Sequence, residues 1–438
     1  GVADETMPAH AAGQVDFAAE ANTALRFGMM LLSAGAASYR VIRAVKRAAR
    51  SMGFDNADVL VGFNTITCTF HHGEQFRTLV ADVPLPGVNS SRIEALESTA
   101  HTLLQDYHTA DEINAALDEI ERIPTPRWPL WIAAIAAGLA CAGFAVLNQF
   151  GYVAAGVVFL AAAVGQFIRV KLHHKHFNVL GVTTVAAWVA SSLYLVLAYL
   201  LPTPGDISPG FIASVLFLIP GFPLFAAFVD LARFDFTAGI PRLMFAVEVI
   251  VVIMLTVSVV AMLSGTPQAT PPVHEASREY FVAGGVSSFV AIGCFAILFN
   301  SSRRMALAAA CLGCIANLLR LWLLTLGVRS FLAAFLAALL IGLAGSQLGN
   351  YASVPRVTVT IPASVVMIPG TTIYIAVHNF ADGNTPEALY AATDVVFAVL
   401  FIAGGLIIAR MITDRDWAFS RYIDFGKELH GEVRPIND

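Results

Sequence analysis

Two proline-glycine pairs interrupt apolar stretches that would otherwise read as continuous helix. Pro220-Gly221, with Pro223 close behind, lies in SVLFLIPGFPLFAAFVD (214–230), and Pro369-Gly370, followed by Thr371 and Thr372, lies in SVVMIPGTTIYIAVHNF (364–380). Proline has no amide hydrogen and clashes with the preceding turn, so each pair predicts a broken helix. Backbone groups freed by such a break cannot face hydrocarbon and must line a cavity or be buried in protein. The half-helix that follows offers N–H groups and a positive dipole end, which suits a carboxylate. The chemistry these residues suggest is anion capture. Around them stand Asp230 and, at the matching place in the second segment, Asn379; Glu248 in FAVEVIVVIMLTV; Asp394 in ATDVVFAVLF; and Arg169 and Arg320.

Ionisable side chains inside a bilayer are costly and usually functional. Burial would raise the proton affinity of Glu248, so Glu248 and Asp394 are read as proton-coupling acids. Arg169 and Arg320 are read as partners for these acids or for a substrate carboxylate. The expected substrate-binding set is Pro220, Gly221, Pro223, Pro369, Gly370, Thr371, Thr372, Asp230, Asn379 and Arg320. Plain alternatives exist: packing kinks at the prolines, an Arg169 that snorkels to the interface, a structural hydrogen bond at Glu248. Matched breaks in two segments favour the functional reading.

The elements that must position these residues follow from composition. Of 438 residues 57% are hydrophobic and 13% charged, with a mean hydropathy of +0.71, whereas soluble domains carry roughly a quarter of their residues as charges. Residues 1–127 hold 10 of the 26 Lys/Arg and 16 of the 31 Asp/Glu and no apolar run long enough to span a bilayer. Beyond them, a ruler of about 20 apolar residues predicts ten spans: 129–149, 152–170, 178–200, 209–229, 242–263, 280–300, 305–326, 330–348, 356–379 and 388–409. The expected domains are a cytosolic α+β domain (1–127), five spans (128–265), five more (279–410) and a cytosolic tail (411–438). No signal peptide is recognisable, which predicts a cytoplasmic N-terminus. With that start, the inner connections and tail carry thirteen Lys/Arg, among them Arg169, Lys171, Arg233, Arg242, Arg303 and Arg434, against Arg278 and Arg329 outside. The asymmetry predicts that both ends are cytoplasmic.

Ile219-Pro220-Gly221 overlays Ile368-Pro369-Gly370, and Gln166 to Arg169 overlays Asn317 to Arg320. The membrane part therefore reads as five spans plus five. Odd-numbered halves insert in opposite directions, and inverted repeats with one broken helix each are the mark of many secondary transporters. The expected fold is a mostly α-helical polytopic membrane protein with ten transmembrane helices in a 5+5 inverted repeat.

In the first domain, Arg40, Arg43, Arg47 and Arg50 recur at helical spacing. They predict a basic face that is solvated, or that lies on anionic lipid or on the acidic helix 111–121. The alternation in TITCTF (65–70) predicts a half-buried strand beside 58–63 and 76–80. No Ser/His/Asp set, zinc motif or phosphate loop is present, which argues against an enzyme and an ATP-driven pump. No cofactor, metal ligand or nucleic-acid motif is expected. Cys311 and Cys314 read as apolar packing, and the histidines of HHKH (173–176) as headgroup contacts.

The stretches LRFGMMLLSAGAASYRV (25–41), VLVGFNTITCTF (59–70), IPGFPLFAAFVDLARFDFTAGIPRL (219–243) and IPGTTIYIAVHNFADG (368–383) resemble the threonine/serine exporter family, over roughly residues 16–412. The resemblance implies proton-driven export of threonine and serine across a bacterial cytoplasmic membrane. Split relatives, with the two halves on separate chains, are associated with succinate export, so a small dicarboxylate is the alternative substrate. A membrane receptor or a channel, with the cytosolic domain regulating it, also fits the sequence. The expected partners are a small-molecule substrate, protons and the bilayer, and a homo-oligomer is compatible with the sequence.

Overall fold

A computed structural model of the protein describes residues 17–85, 87–202, 206–269, 271–352 and 354–431. The chain divides into two compact units, one of residues 1–86, 95–122 and 422–438, the other of residues 87–94 and 123–421. Arg434 lies outside the described residues.

In the first unit, helices α1 (Ala18–Ser33) and α2 (Ser38–Ser51) are separated near Gly35, which takes φ 89°. Strands β1 (Asn56–Val61), β2 (Thr65–His72) and β3 (Gln75–Asp82) form an antiparallel sheet in that order. Ile66, Cys68 and Phe70 are fully buried, the face their alternation predicts. Burial pushes the Cys68 thiol up to about 12. Helix α3 (Ser90–Thr102) begins in the second unit and ends in the first, and α4 (Ala110–Glu121) follows. The acidic helix α4 takes Arg26 of α1 as its partner, through Asp118 at 2.7 Å and Glu121 at 3.1 Å. The arginines of α2 have a different fate. Arg40 and Arg43 turn inward to Glu97 of α3, at 3.4 and 3.5 Å, rather than lying on a solvated face.

Among its described residues the second unit holds eight helices long and apolar enough to cross a membrane, and two bent pairs. They are α5 (Leu130–Leu147), α6 (Tyr152–His174), α7 (Val179–Leu200), a 3-10 segment (Ser208–Leu218) bent by 64° into α8 (Gly221–Ala232), and α9 (Phe236–Ser264). Then come α10 (Arg278–Leu298), α11 (Arg303–Thr325), α12 (Ser330–Ala352), α13 (Arg356–Val365) bent by 49° into α14 (Gly370–Ala381), α15 (Thr385–Thr413) and the short α16 (Arg415–Ala418). Both bends fall at the proline-glycine pairs. The expected span at 242–263 starts earlier, at Phe236, so Arg242 belongs to α9 and is buried there instead of sitting in an inner connection.

Element lengths recur along this unit. Helices α6 and α11 both have 23 residues, α8 and α14 both 12, and α9 and α15 both 29. The left-handed turn residues recur too. Gln149 at φ 57° is answered by Asn300 at 62°, His176 at 56° by Gly327 at 83°, and Phe234 at 60° by Gly383 at 81°. Packing follows the same pairing: α8 lies on α13 and the 3-10 segment on α14, while α7 lies on α9 and α12 on α15. Helices α5 and α10 meet through small residues, as close packing in a membrane requires. A Cβ on Gly143 would stand 2.8 Å from the Ser287 carbonyl and 2.9 Å from Ala291.

Candidate substrate site

The two breaks are built alike and lined differently. At the first, the Gly221 N–H closes a tight turn onto the Ile219 carbonyl at 2.9 Å. A Cβ on Gly221 would come 2.5 Å from Val365, and Phe222 packs edge-on against Phe299 with centroids 5.4 Å apart. Pro223 removes another N–H from the first turn of α8. The surroundings are apolar, so this break is closed over by side chains rather than opened to an anion. At the second, Asn148, the residue that ends α5, reaches across. Its Oδ1 accepts from the N–H groups of Gly370 at 2.9 Å and Thr371 at 3.3 Å, and its carbonyl accepts from the Thr371 hydroxyl at 3.4 Å. An amide oxygen thus occupies the dipole end where the sequence predicts a carboxylate. Phe299 ends α10 as Asn148 ends α5, so the difference between the breaks is one side chain: an amide at one, a phenyl at the other.

The neighbours of Asn148 line a cavity of about 310 Å³. Its wall includes Leu147, Gln149, Tyr280, Gly284 and Leu321, and Glu275 and Glu279 also line it. The segment between α9 and α10 roofs it. The Gln149 amide exchanges two hydrogen bonds with the Val273 backbone, at 2.7 and 3.1 Å, and His274 Nδ1 pairs with the Tyr280 hydroxyl at 3.0 Å. Farther along, Thr266 meets the buried His378 of α14 at 2.7 Å and Tyr374 donates to the Pro267 carbonyl at 2.5 Å. One short loop is therefore tied to α5, α10 and α14.

Arg320 stands beside this wall. Its Nε donates to Asn317 Oδ1 at 2.7 Å, and Asn317 donates in turn to Ser288 at 2.5 Å. Its two terminal nitrogens have no partner among the described residues, and the side chain is half-buried. Burial, and after it the Arg320 charge, hold the His274 imidazole below its usual range. Arg169 occupies the corresponding place on α6 but is engaged: it donates to the Phe217 carbonyl at 3.1 Å, near the end of the 3-10 segment. Cation and carbonyl there meet as a helix C-terminus prefers.

The acids are not gathered where the spacing suggests. Asp230 is fixed to Arg242 at 3.1 Å with both side chains almost wholly buried. Asn379, its counterpart, bonds within its own turn, to the Ile375 carbonyl and Asn384. Glu248 lies on the outward face of α9 in an exposed stripe with Met244, Val251 and Leu255. That side of α9 is left uncovered by the described residues. Asp394 is half-buried on α15. Thr372 is half-buried at the start of α14, and its hydroxyl has no partner among the described residues. Sequence reasoning missed Asn148, Tyr280, His274 and His378. Asn148 had a signal, a polar residue at the last position of a span before a tight turn. The others gain their meaning only from the loop that meets them.

Residues 22–264 match the family described as "Putative threonine/serine exporter", and residues 285–412 match a second described as "Threonine/Serine exporter, ThrE". The chain belongs to the threonine/serine exporter family. Among curated proteins it is similar to "Probable succinate transporter subunit YjjP" of Escherichia coli K12, 29% identical over 221 residues, which is 50% of this chain and 84% of that one. The Klebsiella aerogenes protein of the same description is 28% identical over 221 residues, 50% of this chain and 83% of that one. No solved structure matches. The protein is thus a multi-pass membrane protein of a transporter family.

Proposed function

We propose that this protein is a secondary exporter of small hydroxy-amino acids, threonine and serine, driven by proton antiport across a bacterial cytoplasmic membrane with both termini cytoplasmic. The repeated lengths, turns and packing pairs support two five-span halves inserted in opposite directions. The observation that carries the substrate reading is the amide oxygen of Asn148 on the first N–H groups of α14. A substrate carboxylate is a stronger acceptor than an amide and can take that place. Arg320, with its two terminal nitrogens unpartnered among the described residues, supplies the opposing charge. Thr372, the next residue of α14, suits a hydroxyl-bearing side chain, and Glu275 or Glu279 suits the ammonium. Displacing Asn148 frees α5 from α14, which couples occupancy to movement of one half against the other.

A dicarboxylate is the second reading, favoured by the description of the similar YjjP proteins. Two acidic residues in the cavity lining, Glu275 and Glu279, weigh against a dianion and for a zwitterion. For the proton, half-buried Asp394 is better placed than Glu248, which faces away from the bundle. The test is efflux from proteoliposomes loaded with labelled threonine, serine or succinate under an imposed proton gradient. Gradient-stimulated, saturable efflux of threonine and serine is expected, lost in Arg320→Gln. Efflux of succinate alone would establish the dicarboxylate reading, and gradient-independent, unsaturable flux a channel.

A further inference from the structure

The first unit carries charges that the transport reading leaves unused. Arg40, Arg43 and Arg47 stand at one face of α2, and Glu97 of α3 is the acid that meets them. Glu97 is buried, with Arg40 at 3.4 Å, Arg43 at 3.5 Å and His101 at 3.9 Å. Burial alone would raise its proton affinity, and the three guanidiniums outweigh that and lower it. One carboxylate cannot balance three arginines. The surplus is two positive charges before His101 is counted, in a place where unpaired charge is expensive.

The surplus is visible in the side chains. Arg47 makes no hydrogen bond or ion pair among the described residues. Burial first, and Arg43 beside it, push its guanidinium down to about 10. Arg40 is 7% exposed, and its buried Nε has no hydrogen-bond partner among the described residues. Arg43 stacks over the Tyr39 ring at 5.1 Å, which holds its plane in place. Three planar forks with donors to spare match the chemistry by which arginine grips carboxylate and phosphate.

We propose that Arg40, Arg43 and Arg47, closed on one side by Glu97 and His101, form a binding site for a small oxyanion of about two negative charges, a dicarboxylate or a phosphate group. Filling it would neutralise the surplus and lock α2 to α3, giving the non-membrane unit a ligand of its own. The site is independent of the substrate reading.

The test uses the full chain in nanodiscs and follows hydrogen exchange of residues 38–51 and 90–102 while inorganic phosphate or succinate is titrated at constant ionic strength with chloride. In neutral-lipid discs, saturable protection by either anion is expected, and it identifies a free oxyanion. Protection that appears only in discs containing phosphatidylglycerol identifies a lipid headgroup phosphate as the source. Arg47→Gln should weaken the response about tenfold, the loss expected for a charged hydrogen bond, and without anion it should melt no lower than the parent because it removes repulsion. Absence of protection under every condition, or an undiminished response in Arg47→Gln, would overturn the assignment.

Discussion

Replacing Asn148 by alanine and by aspartate should move substrate affinity in opposite directions. The amide oxygen accepts from Gly370 and Thr371 at 2.9 and 3.3 Å, and both bonds must be given up before a carboxylate can sit there. Each such bond contributes about 1 kcal/mol net, so alanine relieves the competition by up to about 2 kcal/mol, or up to about thirtyfold in apparent KM. Aspartate puts a full charge on the same dipole end. That adds about 1 kcal/mol to the competing contact, raising the apparent KM about fivefold. The assay is the concentration dependence of labelled threonine counterflow in proteoliposomes, with the melting temperature as a check on folding. A merely structural cap predicts damage from both substitutions. A rise in KM for both, or no change in either with folding intact, would refute the displacement step.

Asp230→Asn leaves Arg242 without its buried counter-charge, and breaking such a pair costs about 3–5 kcal/mol; a sharp fall in melting temperature is expected, and an unchanged one would show the pair is dispensable. Gly143→Val should force α5 and α10 apart, because the added atoms meet the Ser287 backbone, and should lower folded yield in size-exclusion profiles. Asp394→Asn should abolish the gradient dependence of efflux while Glu248→Gln preserves it; the reverse pattern would move the proton to α9. The depressed His274 imidazole favours its neutral form, so the latch it makes with Tyr280 is whole above the ordinary histidine value of 6.5 and weakens as pH falls below it. Hydrogen exchange of residues 271–277 should therefore quicken at pH 5.5 relative to pH 7.5.

Much of the fold was legible because lipid imposes simple rules. Span length, the two proline-glycine breaks and the alternation at Ile66, Cys68 and Phe70 each express a backbone or burial requirement local to a few residues. The partners of charges were not legible. Arg242 read as an inner-loop cation because the expected span began there, yet α9 starts six residues earlier and runs through Pro241. Its pairing with Asp230 depends on how α8 and α9 fold back on each other. Glu248 has apolar neighbours along the chain, and only the packing of α9 separates the buried Ala246 and Val249 from the outward Met244, Val251 and Leu255 that share its face. Arg320 was recognisable from its depth in a span, and its freedom came from the lack of a facing acid among the described residues. Asn148 escaped notice because its partner lies 222 positions away.

The most direct measurement compares threonine with threoninol, which keeps the ammonium and hydroxyl but replaces the carboxylate with an alcohol, as competitors of labelled threonine counterflow. Recognition of a carboxylate by the α14 amides and Arg320 predicts strong inhibition by threonine and at least about a hundredfold weaker inhibition by threoninol, since a charged, bidentate contact has no neutral equivalent. Equal inhibition by the two would contradict it.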